Sequence, residues 1–573
     1  MSQPIIEHLA IWTTAPKGIK KLRELILELA VRGLLVPQEV NDEPASELLT
    51  KIAAEKARLV SEGKIKAPKP LAKISEEEKP FDLPTGWEFV RLDDLSQIIT
   101  KGSSPKWQGV SYTDNENDVL FITSENVGGF SLKLESKKYV ALKFNEIEPR
   151  SILKNGDFLM NIVGGSIGRT AIYDIEAVAN INQAVCLIRC FPELLNSRFL
   201  LNFFNSKICI SYMFDKQVDN ARANLSMGNI SKFLIPLPPE QEQQRIVAKV
   251  DELMQLCDRL EEKQNGSEVM HRQLVSCLLT TLTEATDAQA FQAAWSRIAA
   301  NFDCLFTTEN SIEQLKQTIL QLAVMGKLVP QDPNDEPASE LLNKIATEKA
   351  RLISEGKIKK QNPLPKISEQ EKPFSLPNGW EWVRISTFTQ IGTGSTPSRG
   401  NPLYYSPAEI SWVTSGETQQ DFIFETREKI SPLALKETNV SVYPIGSLVV
   451  AMYGQGKTRG QVSELMIKAG TNQACAVIQF IEQSEAHRKY IKLFYKKAYE
   501  ELRSNAAGGA QPNLNVGKIT LTVIPLPPLA EQHRIVTKVD ELLTLCEQLK
   551  TKLATAQTLQ QQLAETLVQQ AVA

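Results

Sequence analysis

The chain has 573 residues and a formal net charge of −3, which argues against a protein that coats nucleic acid through bulk electrostatics. Its 42% hydrophobic and 23% charged residues include no apolar run of membrane-spanning length and no leader pattern at the start, so we expect a cytoplasmic globular protein. Eight cysteines without a CxxC pair and only four histidines predict buried thiols and no metal site.

An internal repeat organises the chain. Residues 41–66 recur as residues 334–359 with three changes in 26 positions. The same offset of 293 residues carries the motif LPTGWE at 83–88 onto LPNGWE at 376–381. A single repeat of this length indicates two whole domains with their connectors rather than a solenoid.

The segments between the repeated motifs differ widely and predict two copies of one α+β domain. Short apolar runs bounded by Gly, Asn and Pro predict strands, and one apolar stretch in each copy predicts a helix. The expected strands are at 119–123, 157–163 and 184–189 in the first copy and at 447–453 and 474–479 in the second, and the expected helices are near 197–212 and 485–503.

A second repeated motif, IPLPP, leads into two long helices with a heptad seam. Its copies, at 235–239 and 524–528, precede apolar residues at alternating spacings of four and three. We expect the first helix to cover about residues 240–264, with Asn265-Gly266 as its end, and to span about 37 Å. The seam residues are Ile246, Val250, Leu253, Cys257, Leu260, Ile535, Val539, Leu542, Cys546 and Leu549.

Two arrangements of these seams are open. The two stripes can pair with each other as an antiparallel coiled coil, which the duplication favours, or each can pack on its own domain. The predicted organisation is a helical region at 1–81, a first domain at 82–238, a helical spacer at 239–374, a second domain at 375–527 and a C-terminal helix at 528–573.

Candidate binding residues are polar side chains in loops that correspond between the two domains. Arg, Lys, Asn and Gln reach phosphates and purine edges, although they are also ordinary turn residues. The candidates in the first domain are Lys101, Ser103, Lys106, Ser124, Asn126, Arg169, Asn182, Gln183, Arg222 and Asn224. Those in the second are Ser395, Arg399, Ser415, Gln455, Lys457, Arg459, Asn472, Gln473, Gln511 and Asn513.

The sequence offers no place for catalysis. Gly456-Lys457-Thr458 resembles the end of a phosphate-binding P-loop, but Ala451 occupies the position of the required glycine. We find no methyltransferase tetrapeptide, helicase-type nucleotide motif or nuclease-type cluster of Asp, Glu and Lys. We therefore expect a non-catalytic protein.

The tandem arrangement of GWExVR and IPLPP-x-x-EQ-x-RIV, each followed by a long helix, resembles the DNA specificity subunits of type I restriction-modification systems. The resemblance covers nearly the whole chain. It implies two target-recognition domains that each read one half of a bipartite DNA sequence, with helices that set the gap between the halves. The opening loops of these domains fall at Lys101–Lys106 and Gly394–Arg399.

The same resemblance implies double-stranded DNA and two kinds of protein subunit as partners. Two methyltransferase subunits would bind S-adenosylmethionine and modify adenine, and two motor-nuclease subunits would use ATP and Mg²⁺; this chain itself would bind no cofactor. The first domain holds 16 basic and 17 acidic residues against 15 and 12 in the second, which suggests that a partner supplies much of the phosphate contact. The alternatives are an adaptor that recruits two copies of a protein without touching DNA and a self-contained enzyme.

Overall fold

The computed structural model describes residues 7–68, 70–215, 225–453, 458–506 and 514–572. Contacts divide the chain into two compact units. Residues 1–268 and 555–573 form the first unit, and residues 269–554 form the second. Each unit therefore includes one domain of variable sequence together with the helical segments repeated around it.

The first unit surrounds a β domain with helices. Its helices are α1 (Leu9–Thr14), α2 (Gly18–Val31), α3 (Ala45–Ser61), α4 (Lys143–Ile147), α5 (Ser197–Phe204), α6 (Lys207–Asp215), α7 (Met227–Ile230) and the first part of α8 (Glu240–Glu284). Its strands are β1 (Glu88–Arg91), β2 (Ser96–Lys101), β3 (Tyr112–Thr113), β4 (Val119–Ile122), β5 (Tyr139–Val140), β6 (Phe158–Asn161), β7 (Thr170–Ile172), β8 (Ala179–Ile181), β9 (Val185–Cys190) and β10 (Leu234–Leu237).

Three sheets form from these strands. The order β2-β9-β6-β7 is antiparallel throughout, while β3-β5-β4-β8 includes the parallel pair β4–β8. Strands β4 and β6 are buried along their whole length, which explains why they have continuous apolar sequences instead of alternating ones. Strands β1 and β10 form a separate antiparallel pair.

The second unit repeats this plan. Its helices after α8 are α9 (Ala288–Ala300), α10 (Phe302–Leu305), α11 (Glu309–Val324), α12 (Ala338–Ser354), α13 (Ile385–Phe388), α14 (Pro432–Glu437), α15 (Glu485–Ala506), α16 (Val516–Thr520) and α17 (Leu529–Val572). Its strands are β11 (Glu381–Arg384), β12 (Thr389–Thr393), β13 (Ile410–Val413), β14 (Phe422–Ile423), β15 (Glu428–Ile430), β16 (Val442–Tyr443), β17 (Leu448–Ala451), β18 (Val462–Leu465), β19 (Ala469–Thr471), β20 (Cys475–Phe480) and β21 (Val523–Leu526). The sheet orders are β12-β20-β17-β18-β14, β15-β13-β19-β16 and β11-β21.

The two repeated motifs meet in each unit at a structure that we call the frame joint. Strand β1 of the GWE motif pairs with β10 of the IPLPP motif, and β11 pairs with β21 in the same register. The indole Nε1 of Trp87 donates a 2.9 Å hydrogen bond to the buried Glu242 carboxylate, and Trp380 donates an equal bond to Glu531. Burial raises the pKa of both carboxyl groups.

The glutamine that follows each of these glutamates completes the joint. Gln243 donates to the Pro238 carbonyl at 3.0 Å and accepts from the backbone N–H of Asn196, at the start of α5. Gln532 donates to Pro527 in the same way, and its carboxamide oxygen lies 2.9 Å from Nδ1 of the buried His487. Each long helix is thereby fixed both to the strand before it and to a helix of the variable domain.

Most elements expected from the sequence are confirmed, with two differences. Strands β4, β6, β9, β17 and β20 and helix α15 lie where the apolar runs predict them. The helix expected near 197–212 is two helices, because the chain turns at Asn205-Ser206, where the Asn205 side chain donates to the carbonyl groups of Leu201 and Thr170. The other difference concerns the end of the first long helix.

The expected end of the first long helix at Asn265-Gly266 is wrong. Helix α8 continues to Glu284. A Cβ at Gly266 would meet nothing within 4 Å, so this glycine lies on an open face and costs the helix only about 1 kcal/mol. Burial of Val275, Leu279 and Leu282 in the second unit more than offsets that cost.

The seam residues are buried or half-buried in the cores of their own units. Ile246, Val250, Leu253, Cys257 and Leu260 belong to one core together with residues of α2, and Arg23 of α2 forms ion pairs with Asp258 and Glu261. Ile535, Val539, Leu542, Cys546 and Leu549 belong to the core that contains α11. The end of α17, with Ala564 and Val568, belongs to the first of these cores, and the end of α8, with Val275, Leu279 and Leu282, belongs to the second. Each seam therefore shares a core both with a helix of its own repeat and with the end of the other long helix.

Replacing either indole of the frame joint with phenylalanine tests its strength. Trp87→Phe and Trp380→Phe each keep a ring but leave a buried carboxylate oxygen without its donor, so we expect each to lower the free energy of unfolding by about 1–3 kcal/mol. Chemical denaturation measures this change. Trp107→Phe is the matched control, since Trp107 is 74% exposed and should change stability by less than about 0.5 kcal/mol. Equal losses in all three variants would contradict the proposed role of the joint.

Candidate nucleic-acid interface

In both units, four loops of the variable domain meet at the ends of the sheets. The opening loop is residues 101–106 in the first unit and 394–399 in the second. Gly102 and Gly394 let this loop pass against the end of β8 or β19, because a Cβ there would lie 1.8 Å from the Ile181 oxygen or 1.7 Å from the Thr471 oxygen. Only glycine permits this approach.

The second element is a turn that begins with asparagine. Asn182 accepts a hydrogen bond from the N–H of Ala184 through its side chain, and its own N–H donates to Ile122, the last residue of β4. Asn472 bonds to Ala474 and Val413 in the same way. The carboxamide nitrogen of each asparagine has no hydrogen bond to a described residue, so a donor remains for a ligand.

The turn holds a third loop, which follows β6 or β17. The N–H of Ile162 donates to Ala184, and the N–H of Met452 donates to Ala474. Arg169, at the far end of the first of these loops, is exposed. The corresponding Arg459 is half-buried, and its Nε has no hydrogen-bond partner among the described residues.

The fourth loop follows β4 or β13, and it contains one candidate with a structural role. Asn126 is 4% exposed; its oxygen accepts from the N–H and hydroxyl of Thr123, and its nitrogen donates to the carbonyl groups of Lys133 and Ser136. The Asn126 carboxamide is fully engaged within the loop, so the expectation of a binding role is not supported. Ser124 and Ser415 are half-buried.

An aromatic and charged cluster surrounds Arg399 in the opening loop of the second unit. Its Nη1 lies 2.7 Å from Oε2 of Glu428, and its guanidinium lies 4.8 Å from the ring centre of Tyr405 and 5.6 Å from that of Trp412. Hydrogen bonding to Glu428 raises the pKa of Arg399, so the guanidinium stays charged. The indole of Trp412 donates to the Ser395 carbonyl and attaches the cluster to the loop.

The remaining candidates occupy varied positions. Lys101 and Lys106 are exposed, Gln183 is half-buried, and Ser103 is buried beneath the Gln108 side chain, which donates to it at 2.9 Å. Gln473 is exposed and accepts a hydrogen bond from the hydroxyl of Thr396 in the opening loop. Candidates that lie outside the described residues are Arg222, Asn224, Gln455, Lys457, Gln511 and Asn513.

Sequence reasoning missed several side chains of this surface. Trp107, 74% exposed beside Lys106, is an aromatic residue that can stack on a base, and the Lys-Trp pair in a glycine-bounded loop was a usable signal. Tyr405, Trp412 and Glu428 come close to Arg399 only through the folding of separate strands. No local spacing in the sequence brings those three residues together.

Several side chains of types that can bind metal or act as nucleophiles are buried in the variable domains. No group of three or more His, Cys, Asp and Glu among them could hold a metal ion. Burial raises the pKa of Cys190 and of Cys475 to about 12, so these thiols are not nucleophiles, and burial lowers the pKa of His487 to about 4. Within the part of the chain that the structure describes, no helix is long and apolar enough to cross a membrane.

Comparison with known proteins identifies the family of both domains. The family described as the type I restriction modification DNA specificity domain matches residues 84–268 and 377–557, more than half of the chain. The specificity subunits of the type I restriction enzymes EcoAI and EcoEI from Escherichia coli are 37% and 36% identical to it, each over 99% of both chains. The solved HsdS subunit from Thermoanaerobacter tengcongensis covers 86% of this chain and 98% of its own at 18% identity, with a TM-score of 0.39.

These matches define a protein of the DNA-specificity class, built from two domains of that family. The chain belongs to the family of specificity subunits of type I restriction-modification systems.

Alanine at the glycine of either opening loop should be poorly tolerated. In Gly102→Ala or Gly394→Ala the new Cβ meets a backbone oxygen that cannot move aside, so we expect the free energy of unfolding to fall by about 1–3 kcal/mol or more. Urea denaturation measures the loss. Gly165→Ala is the control, because nothing lies within 4 Å of its Cβ position. Full stability of both loop variants would show that the opening loops are held differently.

Proposed function

We propose that this chain is the sequence-reading subunit of a type I restriction-modification complex, and that each variable domain reads one half of a bipartite DNA target. The observation that carries this proposal is a loop face built twice on the same backbone frame. Gly102 and Gly394, and Asn182 and Asn472, make equivalent contacts in the two units. Other loop side chains differ, as at Trp107 and Arg399, which two readers of different sequences require.

Exposed cations on this face support contact with a duplex. Lys101, Lys106 and Arg169 in the first unit can reach phosphates, which fix the register of a protein on DNA. The first domain has one more acidic than basic residue, so electrostatic attraction by this chain alone is weak. We infer that a basic partner supplies the remaining phosphate contacts.

Two methyltransferase subunits are the partners that we infer for the repeated helices. Helices α3 and α12 lie within the segments that differ at only three of 26 positions. Their identity extends to exposed residues, including Ala53, Ala57 and Arg58, which match Ala346, Ala350 and Arg351.

The neighbouring pair of helices provides a contrast. In α2 and α11 the buried leucines and isoleucines are kept except for Leu25, which Thr318 replaces, but the exposed Lys20 of the first corresponds to Glu313 of the second. Packing alone therefore does not preserve the exposed residues of these repeats. Two identical exposed faces fit two copies of one partner.

The rest of the assembly follows from this assignment. Methylation of adenine with S-adenosylmethionine, and cleavage that uses ATP and Mg²⁺, would take place in the methyltransferase and motor-nuclease subunits, in the cytoplasm. The 45 residues of α8 correspond to about 67 Å of helix, and this helix begins in one unit and ends in the other. We propose that α8 and α17 set the gap between the two half-sites.

Exchange of one variable domain tests the central proposal. A chain whose residues 82–238 come from a relative with a different target should direct methylation to a motif that is new in one half and unchanged in the other half and in the gap. Methylome sequencing of a host that carries the chain with its methyltransferase measures this directly.

Two controls accompany that exchange. The reciprocal replacement of residues 375–527 should change the opposite half, and the purified chain alone, given DNA and S-adenosylmethionine, should not methylate. A change in both halves from one exchange, or in neither, would favour the adaptor that does not touch DNA. Methyl transfer by the isolated chain would favour the enzyme.

Charge placed on the shared helix faces should release the methyltransferase. Ala57→Glu and Ala350→Glu introduce a carboxylate on exposed helical positions, so folding should be unaffected while a docked partner must desolvate a new charge. We expect each single variant to co-purify with one methyltransferase copy and the double variant with none, as measured by analytical ultracentrifugation. Ala54→Thr is the control, because the second repeat already carries Thr347 there. Retention of both copies by the double variant would place docking elsewhere.

A further inference from the structure

The cluster around Arg399 has the geometry of a base reader rather than of a phosphate anchor. Its side chain is 59% exposed, yet three groups fix its direction: the Glu428 carboxylate at one end of the guanidinium and the rings of Tyr405 and Trp412 against its faces. An arginine that binds phosphate gains from free positive charge. Here the neighbouring carboxylate cancels much of that charge and would repel a phosphate.

The N–H groups of Arg399 that Glu428 does not engage are suited to a pair of uncharged acceptors. A guanidinium has five N–H donors in a planar fork, and Glu428 engages one end of it. The free donors can form two parallel hydrogen bonds to O6 and N7 of guanine, which is the pairing that arginine makes in the major groove. Holding the side chain in place beforehand lowers the entropy lost on binding.

The cluster also lies within the candidate interface. Arg399 ends the opening loop, Trp412 donates to Ser395 in that loop, and Thr396 contacts Gln473 of the asparagine turn. A base edge placed between the opening loop and the asparagine turn could therefore contact both the Arg399 guanidinium and the Gln473 carboxamide.

The first unit has different chemistry at the corresponding positions. Trp107 occupies the place of Arg399, because Gly102-Ser-Ser-Pro105 aligns with Gly394-Ser-Thr-Pro397 at an offset of 292 residues. The strand register places Lys138 at the position of Glu428: the Lys138 carbonyl accepts a hydrogen bond from the N–H of Phe121, and Glu428 lies opposite Trp412 at the same point of the second domain. Lys138 forms an ion pair with Glu125. The carboxylate-held arginine is therefore specific to the second domain.

We propose that Arg399 reads a guanine in the half-site of the second domain, with Glu428 as the positioning residue that orients its guanidinium. This inference rests on the proposed function and names one of the bases that the second domain recognises.

The test uses the chain in complex with its methyltransferase and the methylated motif of the wild-type strain. Duplexes in which each guanine of the second half-site is replaced in turn by 7-deazaguanine lack the N7 acceptor. For one guanine, we expect wild-type affinity to fall by about fivefold to 150-fold, which corresponds to about 1–3 kcal/mol. Arg399→Lys keeps the charge but loses the fork, so it should bind weakly and show no further loss with that duplex.

Two matched variants separate this role from charge and from folding. Arg427→Lys changes a neighbouring exposed arginine and should retain the full sensitivity to 7-deazaguanine. Glu428→Gln should reduce that sensitivity without abolishing binding. In the host, Arg399→Lys should make the motif degenerate at that one guanine and leave the other half and the gap intact.

The outcomes distinguish this inference from the proposed function. If the wild-type complex neither binds nor methylates a bipartite motif, the proposed function fails. If it does so but no guanine of the second half-site responds to 7-deazaguanine, or if Arg399→Lys responds as strongly as wild type, Arg399 is not the reader. The wild-type duplex series gives this answer even if the variant does not assemble.

Discussion

A buried hydrogen bond from tryptophan to glutamate, formed once in each unit, holds the repeated frame to the variable domain. Trp87 directly precedes the first strand of the domain and Glu242 lies in the first turn of the long helix, so their bond closes the domain at the point where the chain enters and leaves it. Burial of the carboxylate requires this donor, because an unpaired buried charge is costly. We therefore expect that an insert which starts and ends at this joint, and keeps the contact with Gln243, can be replaced without disturbing the helix.

This closure explains how constant and variable sequence coexist in one chain. The joint fixes the two ends of the domain and one helix inside it, and the adjoining strand pairs keep the same register in both copies. Between those ends, the shared strands keep their order, while edge strands differ: β3 occurs in the first copy, and β14 and β16 occur in the second. Loop side chains can therefore diverge, as Trp107 and Arg399 have, while the glycines and asparagines that shape the backbone remain.

The sequence predicted the parts of this structure that depend on local patterns. Repetition located the frame, and apolar runs located β4, β6, β9, β17 and β20. Sequence patterns did not predict features that depend on packing against residues far away in the sequence. The end of α8 was misplaced because Asn265-Gly266 is a stop signal only when nothing beyond it is buried, and Val275 and Leu279 are buried by residues far along the chain.

The same distinction between local and long-range contacts separates the candidate binding residues. Asn182 and Asn472 could be recognised from the sequence because each shapes its own turn, and the structure places both in the same environment. Asn126 has the same chemical character, but its carboxamide is engaged by backbone groups up to ten residues away. Residue type predicts that a side chain is able to bind. Only the fold determines whether its donors and acceptors remain free to do so.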